Sequence, residues 1–120
     1  MGRRLLLVED DASMQEVLRA LLESAGYEVT AAVDGEEALD LLRDGVVPSL
    51  IVLDLMLPRM DGFQFRAVQR ANPAWADIPV VVYSGIDRLG ERVRALEPSA
   101  WFEKPVDPDS LLGAIEKYCH

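Results

Sequence analysis

Leu50-Ile51-Val52-Leu53-Asp54-Leu55-Met56-Leu57-Pro58-Arg59-Met60-Asp61-Gly62 is an apolar run that stops at one carboxylate and then breaks around a proline and an Asp-Gly pair. Ser49 to Leu53 has the length and unbroken hydrophobicity of a strand buried on both faces, as in a parallel sheet, and Leu55 to Gly62 has the residues of a loop. The same unit recurs on either side. Arg3 to Val8 is an apolar run ending at Glu9-Asp10-Asp11, and Tyr27 to Val33 forms a second strand pattern. Ile78 to Tyr83 is the fourth, ending at Ser84-Gly85, and Ala100 to Phe102 is a brief fifth, followed by Lys104-Pro105.

Helical patterns separate these runs. Ser13 is placed to cap a helix on which Met14, Val17, Leu18, Leu21, Leu22 and Ala25 recur at helical spacing before Gly26. Asp34-Gly35-Glu36-Glu37 has capping-box spacing, with Asp in place of Ser or Thr, ahead of Ala38, Leu41 and Leu42 and up to Gly45. Phe63, Phe65, Val68 and Gln69 carry a weaker pattern that ends before Pro73. Asp87 to Leu96 forms a fourth helix, and Asp107 with Pro108 at the first helical position opens a fifth, whose Leu111, Leu112, Ile115 and Tyr118 share a face. Five strands alternating with five helices predict an α/β fold, a parallel sheet covered on both faces because right-handed crossovers place the helices there. No internal repeat, linker or low-complexity tract divides the chain, so residues 1–120 read as a single domain.

Composition excludes several classes of function. The chain has 120 residues, half of them hydrophobic and 28% charged, the balance of a packed globular domain. The longest stretch without a charged residue is nine positions, at Gly45 to Leu53 and at Ile78 to Ile86, where a membrane helix needs about 20. Met1-Gly2-Arg3-Arg4 precedes only four apolar residues, too few for a secretory signal, so the expected compartment is the cytoplasm. Cys119 is the one cysteine and His120 the one histidine, which excludes an internal disulfide, a thiolate metal cluster and histidine-based catalysis. Twelve basic residues against 21 acidic ones give a net charge of −9, which opposes direct binding to nucleic acid or to an anionic membrane.

In an open α/β sheet, ligands gather outside the carboxyl ends of the strands. Here those ends bring Glu9, Asp10 and Asp11, then Asp54, Ser84 and Lys104. Crowded carboxylates repel one another unless a cation joins them, and Mg²⁺ suits such a set because it accepts one or two carboxylates and completes its octahedron with waters and phosphate oxygens. Lys104 offers a point charge for a phosphoryl group, Ser84 a hydroxyl donor, and Asp54 a nucleophile that could form an aspartyl phosphate. Taken singly, the three acids could be a solvated loop, Asp54 a strand end and Ser84 a small-residue turn. Lys104 is less easily dismissed, since ten of the twelve basic residues are arginine. Trp75 reads as ordinary packing and Arg88, Arg92 and Arg94 as a solvated helix face. The conjunction at four strand ends is what metal-assisted phosphoryl transfer requires.

With Val8-Glu9-Asp10-Asp11, Asp54 through Gly62, Ser84-Gly85 and Lys104-Pro105, the sequence resembles the receiver domain of two-component response regulators, chemotaxis regulators among them, over essentially its whole length. The resemblance implies a flavodoxin-like strand order 2-1-3-4-5 and a cis Lys104-Pro105 bond. It also implies that Asp54 accepts a phosphoryl group from a histidine kinase or phosphotransfer protein. Asp10 would bind Mg²⁺ directly, Glu9 through water, and the backbone carbonyl of Met56 would complete the protein ligands, with Asp54 in the same shell and Asp11 a neighbour. Ser84 and Lys104 would contact phosphoryl oxygens, and Gly85 would leave room for them. Ser84 and Trp101, the aromatic residue three before the lysine, would form the switch that alters a face binding a downstream protein, the domain being a monomer or a weak phosphorylation-dependent dimer.

Two features depart from the family pattern. Its members usually carry Tyr or Phe where Trp101 stands, and the spacing from Ser84 to Lys104 is about two residues short, which predicts that the fourth helix or its loop is curtailed. Met56 and Ile86 are apolar at the positions flanking attacking water, which predicts slow self-dephosphorylation. A haloacid-dehalogenase-like phosphatase would need a second Asp where Met56 stands, and a phosphorylation-independent interaction module would not need all of Asp10, Asp54, Ser84 and Lys104.

Overall fold

The computed structural model describes residues 3–85 and 90–119. Five strands, β1 (Arg4–Val8), β2 (Glu28–Ala32), β3 (Leu50–Asp54), β4 (Val80–Ser84) and β5 (Ala100–Glu103), alternate with α1 (Ala12–Ser24), α2 (Gly35–Arg43), α3 (Gly62–Ala71), α4 (Gly90–Ala95) and α5 (Pro108–Tyr118). All strand pairs are parallel, in the order β2-β1-β3-β4-β5. This is the flavodoxin-like α/β sheet that the alternation and the resemblance predict.

Alternation along each strand builds two apolar layers. Leu6, Val8, Ile51, Leu53, Val80 and Val82 point to one face and pack with Ala38, Leu39 and Leu42 of α2, Phe65 of α3 and Val93 of α4. Leu5, Leu7, Leu50, Val52, Val81 and Tyr83 point to the other and pack with Leu18 and Leu22 of α1 and Leu111 and Ile115 of α5. The central strands are buried on both sides, which is why their sequences are continuously apolar. Trp75 packs at the edge of the first layer, as expected.

Among the described residues four aspartates cap helices, because a carboxylate in extended backbone can accept from the free amides of the first turn and complement their partial positive charge. Asp34 accepts from Glu37, Asp61 from Gln64 within a full capping box, and Asp107 from Ser110. Partnership with Ser110 holds the Asp107 carboxyl below its ordinary pKa. The cap of α1 is Asp11, not the predicted Ser13; its Oδ1 accepts from the Met14 amide at 3.0 Å, and the helix starts one residue before the serine. Val17, placed on the buried stripe by periodicity, is 63% exposed, because Leu18 and Leu22 face the sheet and Val17 lies a helical step aside.

Strand boundaries differ where the ladder continues into polar residues. β3 includes Asp54 and β4 includes Ser84, while β4 starts at Val80, after Pro79, whose carbonyl accepts from Ile51 at 2.9 Å. The predicted fourth helix, Asp87 to Leu96, is represented by the six residues of α4, and its predicted start, with Arg88, lies outside the described residues, as do Ile86 and His120. Arg92, read as part of a solvated face, stacks its guanidinium 4.1 Å from the centre of the Phe63 ring.

A buried arginine ties the turn after α4 to α3. Arg66 donates from Nε to the Leu96 carbonyl at 2.9 Å, from Nη2 to Glu97 at 3.1 Å and from Nη1 to Gln69 Oε1 at 2.9 Å. Gln69 in turn donates to the carbonyls of Trp75 and Ile78, both at 3.0 Å. Arg66 therefore satisfies carbonyls of the turn that follows α4, at the cost of a guanidinium pKa lowered by burial. Arg66→Met would leave these carbonyls without their donor and is expected to lower stability in urea by about 1–3 kcal/mol. Hydrogen exchange should show α4 opening before the sheet does.

Candidate functional site

Because the strands are parallel, the carboxyl ends of β1, β3, β4 and β5 meet at one edge of the sheet. Glu9 and Asp54 are buried there, and Asp10 faces solvent. One carboxylate oxygen from each of Glu9, Asp10 and Asp54 lies within 4.8 Å of the others, an all-oxygen donor set suited to a hard divalent cation. The fit is open on one side, where Asp10 meets water.

Lys104 closes the buried side. Its Nζ donates to Asp54 Oδ2 at 3.0 Å and to Glu9 Oε1 at 3.4 Å. Burial works to lower the lysine pKa, but the hydrogen bond to and charge of Asp54, and then those of Glu9, outweigh it and hold it above the ordinary value. The other Asp54 oxygen, Oδ1, accepts from the backbone amide of Met56 at 3.1 Å, so the carboxylate is oriented by a donor on each oxygen. Met56 itself is 51% exposed. Lys104-Pro105 is cis, as the resemblance implied, and the Lys104 amide donates to the Ser84 carbonyl at 2.8 Å. Ser84 is buried at the end of β4, and a Cβ on Gly85 would meet Lys104 Cδ at 3.7 Å, an ordinary van der Waals contact. Trp101 lies in β5 beside Val82 and is 43% exposed. Asp11 is engaged as the cap of α1.

The sequence reading passed over two residues here. Tyr83 is fully buried, and its hydroxyl donates to Glu9 Oε1 at 2.9 Å; burial, then the charge of Glu9, pushes the phenol pKa far upward. Counting by twos would have found it: Leu7 to Glu9, Val52 to Asp54, Val81 to Tyr83 and Phe102 to Lys104 all step along the face that packs on α1 and α5. Arg59, in left-handed backbone with φ 60°, pairs with the buried carboxylate of Asp34 and so anchors the loop after β3 to the start of α2. A sequence pattern has no signal for that contact.

The loop is also pinned by glycine. A Cβ on Gly62 would fall 2.6 Å from the Asp54 carbonyl oxygen and 2.8 Å from Leu55 Cα, and the Gly62 amide donates to the Leu55 carbonyl at 3.0 Å. Gly35 stands equally close to Met60, and its amide donates to the Met60 carbonyl at 2.9 Å.

Comparison with known proteins identifies the family. The family model described as the response regulator receiver domain matches residues 5–116. The chain belongs to that family. Protein PilG of Pseudomonas aeruginosa is 31% identical over 119 residues, which cover 98% of this chain and 87% of PilG. Response regulator MprA of Mycobacterium sp. (strain KMS) is 38% identical over 114 residues, covering 93% of this chain and 48% of MprA. The chain spans about half the length of MprA and of several other curated relatives it matches. Among solved structures, chemotaxis response regulator CheY4 of Vibrio cholerae matches with a TM-score of 0.87 at 27% identity, covering 98% of this chain and 99% of that one. The receiver domain of a sensor histidine kinase from Pseudomonas aeruginosa PAO1 matches with a TM-score of 0.88 at 27% identity, covering 99% and 98%. That structure has a magnesium ion coordinated in its active site cleft. The chain is thus a receiver domain, a signalling domain of response regulators. Among its described residues, no helix is long and apolar enough to cross a membrane.

The Gly62 contacts make a local test. Gly62→Ala forces a methyl group into the backbone of β3 and its loop, and is expected to lower stability by about 1–3 kcal/mol in urea unfolding. Chemical-shift changes should concentrate at residues 54–62.

Proposed function

We propose that this receiver domain takes a phosphoryl group onto Asp54 from a phosphohistidine donor, a histidine kinase or phosphotransfer protein, in a Mg²⁺-dependent reaction. The observation that carries this reading is the convergence of Asp54, Lys104, Glu9 and Asp10 at one edge of the sheet, with an ammonium 3.0 Å from the Asp54 carboxylate. Asp10 and Asp54 would ligate Mg²⁺ directly, Glu9 through water, and the Met56 carbonyl would complete the protein ligands; the proximity of the three carboxylates supports this. When bound, the cation offsets the carboxylate charge and that of the phosphoryl oxygens.

The chain's own groups do the rest. An Asp54 oxygen attacks phosphorus; the bond from phosphorus to the donor's imidazole nitrogen breaks, and that nitrogen keeps the electron pair. Lys104 transfers part of its hydrogen bonding from Asp54 to the new phosphoryl oxygens, and the Ser84 hydroxyl donates to another. By the resemblance, Gly85 leaves room for them. The added charge at the edge of the sheet then biases the position of Ser84 and of Trp101 in β5, and with them a face of α4, β5 and α5 that contacts a downstream protein. We place the domain in the cytoplasm, acting through protein contacts, as a monomer or weak phosphorylation-dependent dimer and without direct contact to nucleic acid or membrane.

Incubation with Mg²⁺ and acetyl phosphate, followed by peptide mass spectrometry, is expected to find the phosphoryl group on the Asp54 peptide. An unmodified peptide, or equal labelling of Asp54→Asn, would overturn the proposal. By the resemblance Met56 would flank the path of attacking water, and its apolar side chain cannot orient that water by hydrogen bonding, so the aspartyl phosphate should be long-lived. Met56→Asn, able to orient that water by hydrogen bonding, is expected to lose its label severalfold faster than the wild type in a Mg²⁺ time course.

A further inference from the structure

We propose that Tyr83 is a positioning residue of the cation site: its hydroxyl holds Glu9 in place and so leaves Lys104 to Asp54 and the incoming phosphoryl group. The proposal rests on reading the site as a Mg²⁺-dependent phosphoacceptor, and deepens it.

Three donors converge on Glu9. Its Oε2 accepts from the Asp11 amide at 3.1 Å, and its Oε1 accepts from the Tyr83 hydroxyl at 2.9 Å and from Lys104 at 3.4 Å. The lysine contact is the longest of these, and Lys104 lies nearer Asp54, at 3.0 Å. The hydroxyl is thus the close donor to Oε1, and the ammonium is shared unequally in favour of the phosphoacceptor. The same ring lies under the ammonium, 5.0 Å from its centre to Nζ, so Tyr83 touches both the acid and the base. Packing alone does not explain the hydroxyl. The ring fills the layer against α1 and α5, a task phenylalanine would perform equally, whereas a buried hydroxyl demands an acceptor and finds it in Glu9. β4 otherwise consists of Val80, Val81 and Val82 ahead of Ser84, so the polar atom enters the strand where its side reaches the acidic edge.

Without the hydroxyl, Oε1 keeps Lys104 as its side-chain donor. The ammonium would then be drawn toward Glu9 and away from Asp54, and the carboxylate would lose the contact that sets its rotamer. Removing a hydrogen-bond partner behind a metal-binding carboxylate typically weakens metal affinity by about 10–100-fold.

The test is a double-mutant cycle in Mg²⁺ affinity, measured by isothermal titration calorimetry on wild type, Tyr83→Phe, Glu9→Gln and the double variant, each checked by thermal unfolding. Tyr83→Phe is expected to bind Mg²⁺ about tenfold or more weakly than wild type, and to cost nothing further when Glu9 is already Gln. Unchanged affinity in Tyr83→Phe would overturn the proposal, as would an equal loss in both backgrounds, which would mark a general effect of packing. Failure of the wild type to bind Mg²⁺ at all would instead overturn the phosphoacceptor reading beneath it. Should Tyr83→Phe not fold, proton NMR of the wild type decides. The shielded Tyr83 hydroxyl proton is expected as a downfield resonance that persists at saturating Mg²⁺, and its disappearance on adding the ion would show that the hydroxyl releases Glu9 and would overturn the assignment.

Discussion

Glu9 and Asp54 are carboxylates removed from water, and the Lys104 ammonium lies between them, 3.4 Å from one and 3.0 Å from the other. Burying like charges side by side is costly unless opposite charge and hydrogen bonds meet them. Here every relevant oxygen has a donor: the Met56 and Asp11 amides, the Tyr83 hydroxyl and the ammonium itself. The parallel sheet makes this concentration possible, because all its strands deliver their carboxyl ends to one edge. An antiparallel arrangement would send alternate strands the other way.

Holding that edge in register takes close backbone contact. Gly62 lets the segment after β3 fold back against Asp54, and Gly35 lets it touch the start of α2. Arg59 then pairs with the Asp34 cap from outside. These contacts fix the loop that carries Met56 relative to the carboxylate whose Oδ1 accepts from it. On the far side of the sheet's first layer, Arg66 performs a similar service for the turn that follows α4, donating to the Leu96 and Glu97 carbonyls. The acidic edge and the turn after α4 are therefore supported by separate polar devices, one around β3 and one within α3.

Most of the fold could be read from period and punctuation. Unbroken apolar runs marked the central strands because both faces are covered, and Asp34 and Asp107 announced helix starts through local geometry that needs no tertiary partner, whereas Asp61, read as part of a loop, turns out to cap α3. The reading missed by a residue or two where a polar group continues the ladder, as at Asp54 and Ser84, since composition changes before hydrogen bonding does. It misplaced the cap of α1 because Ser13 and Asp11 are both competent acceptors, and only the path of the chain out of β1 selects Asp11. Val17 fell within the apolar period but outside the buried arc.

The site divides along the same line. Glu9, Asp10, Asp54, Ser84 and Lys104 were legible because each stands where an apolar run ends, and their chemical types already suggest a cation and a phosphoryl group. Tyr83 was hidden inside such a run, where an aromatic ring reads as core, while Gln69 entered only as a member of the weak third helical pattern and Arg66 gave no signal. Hydrophobic period, turn residues and caps are properties of neighbouring residues, so the chain alone determines them. Which hydroxyl meets which carboxylate across 74 positions, or which guanidinium reaches the end of another helix, depends on how the layers are stacked, and only the folded molecule decides that.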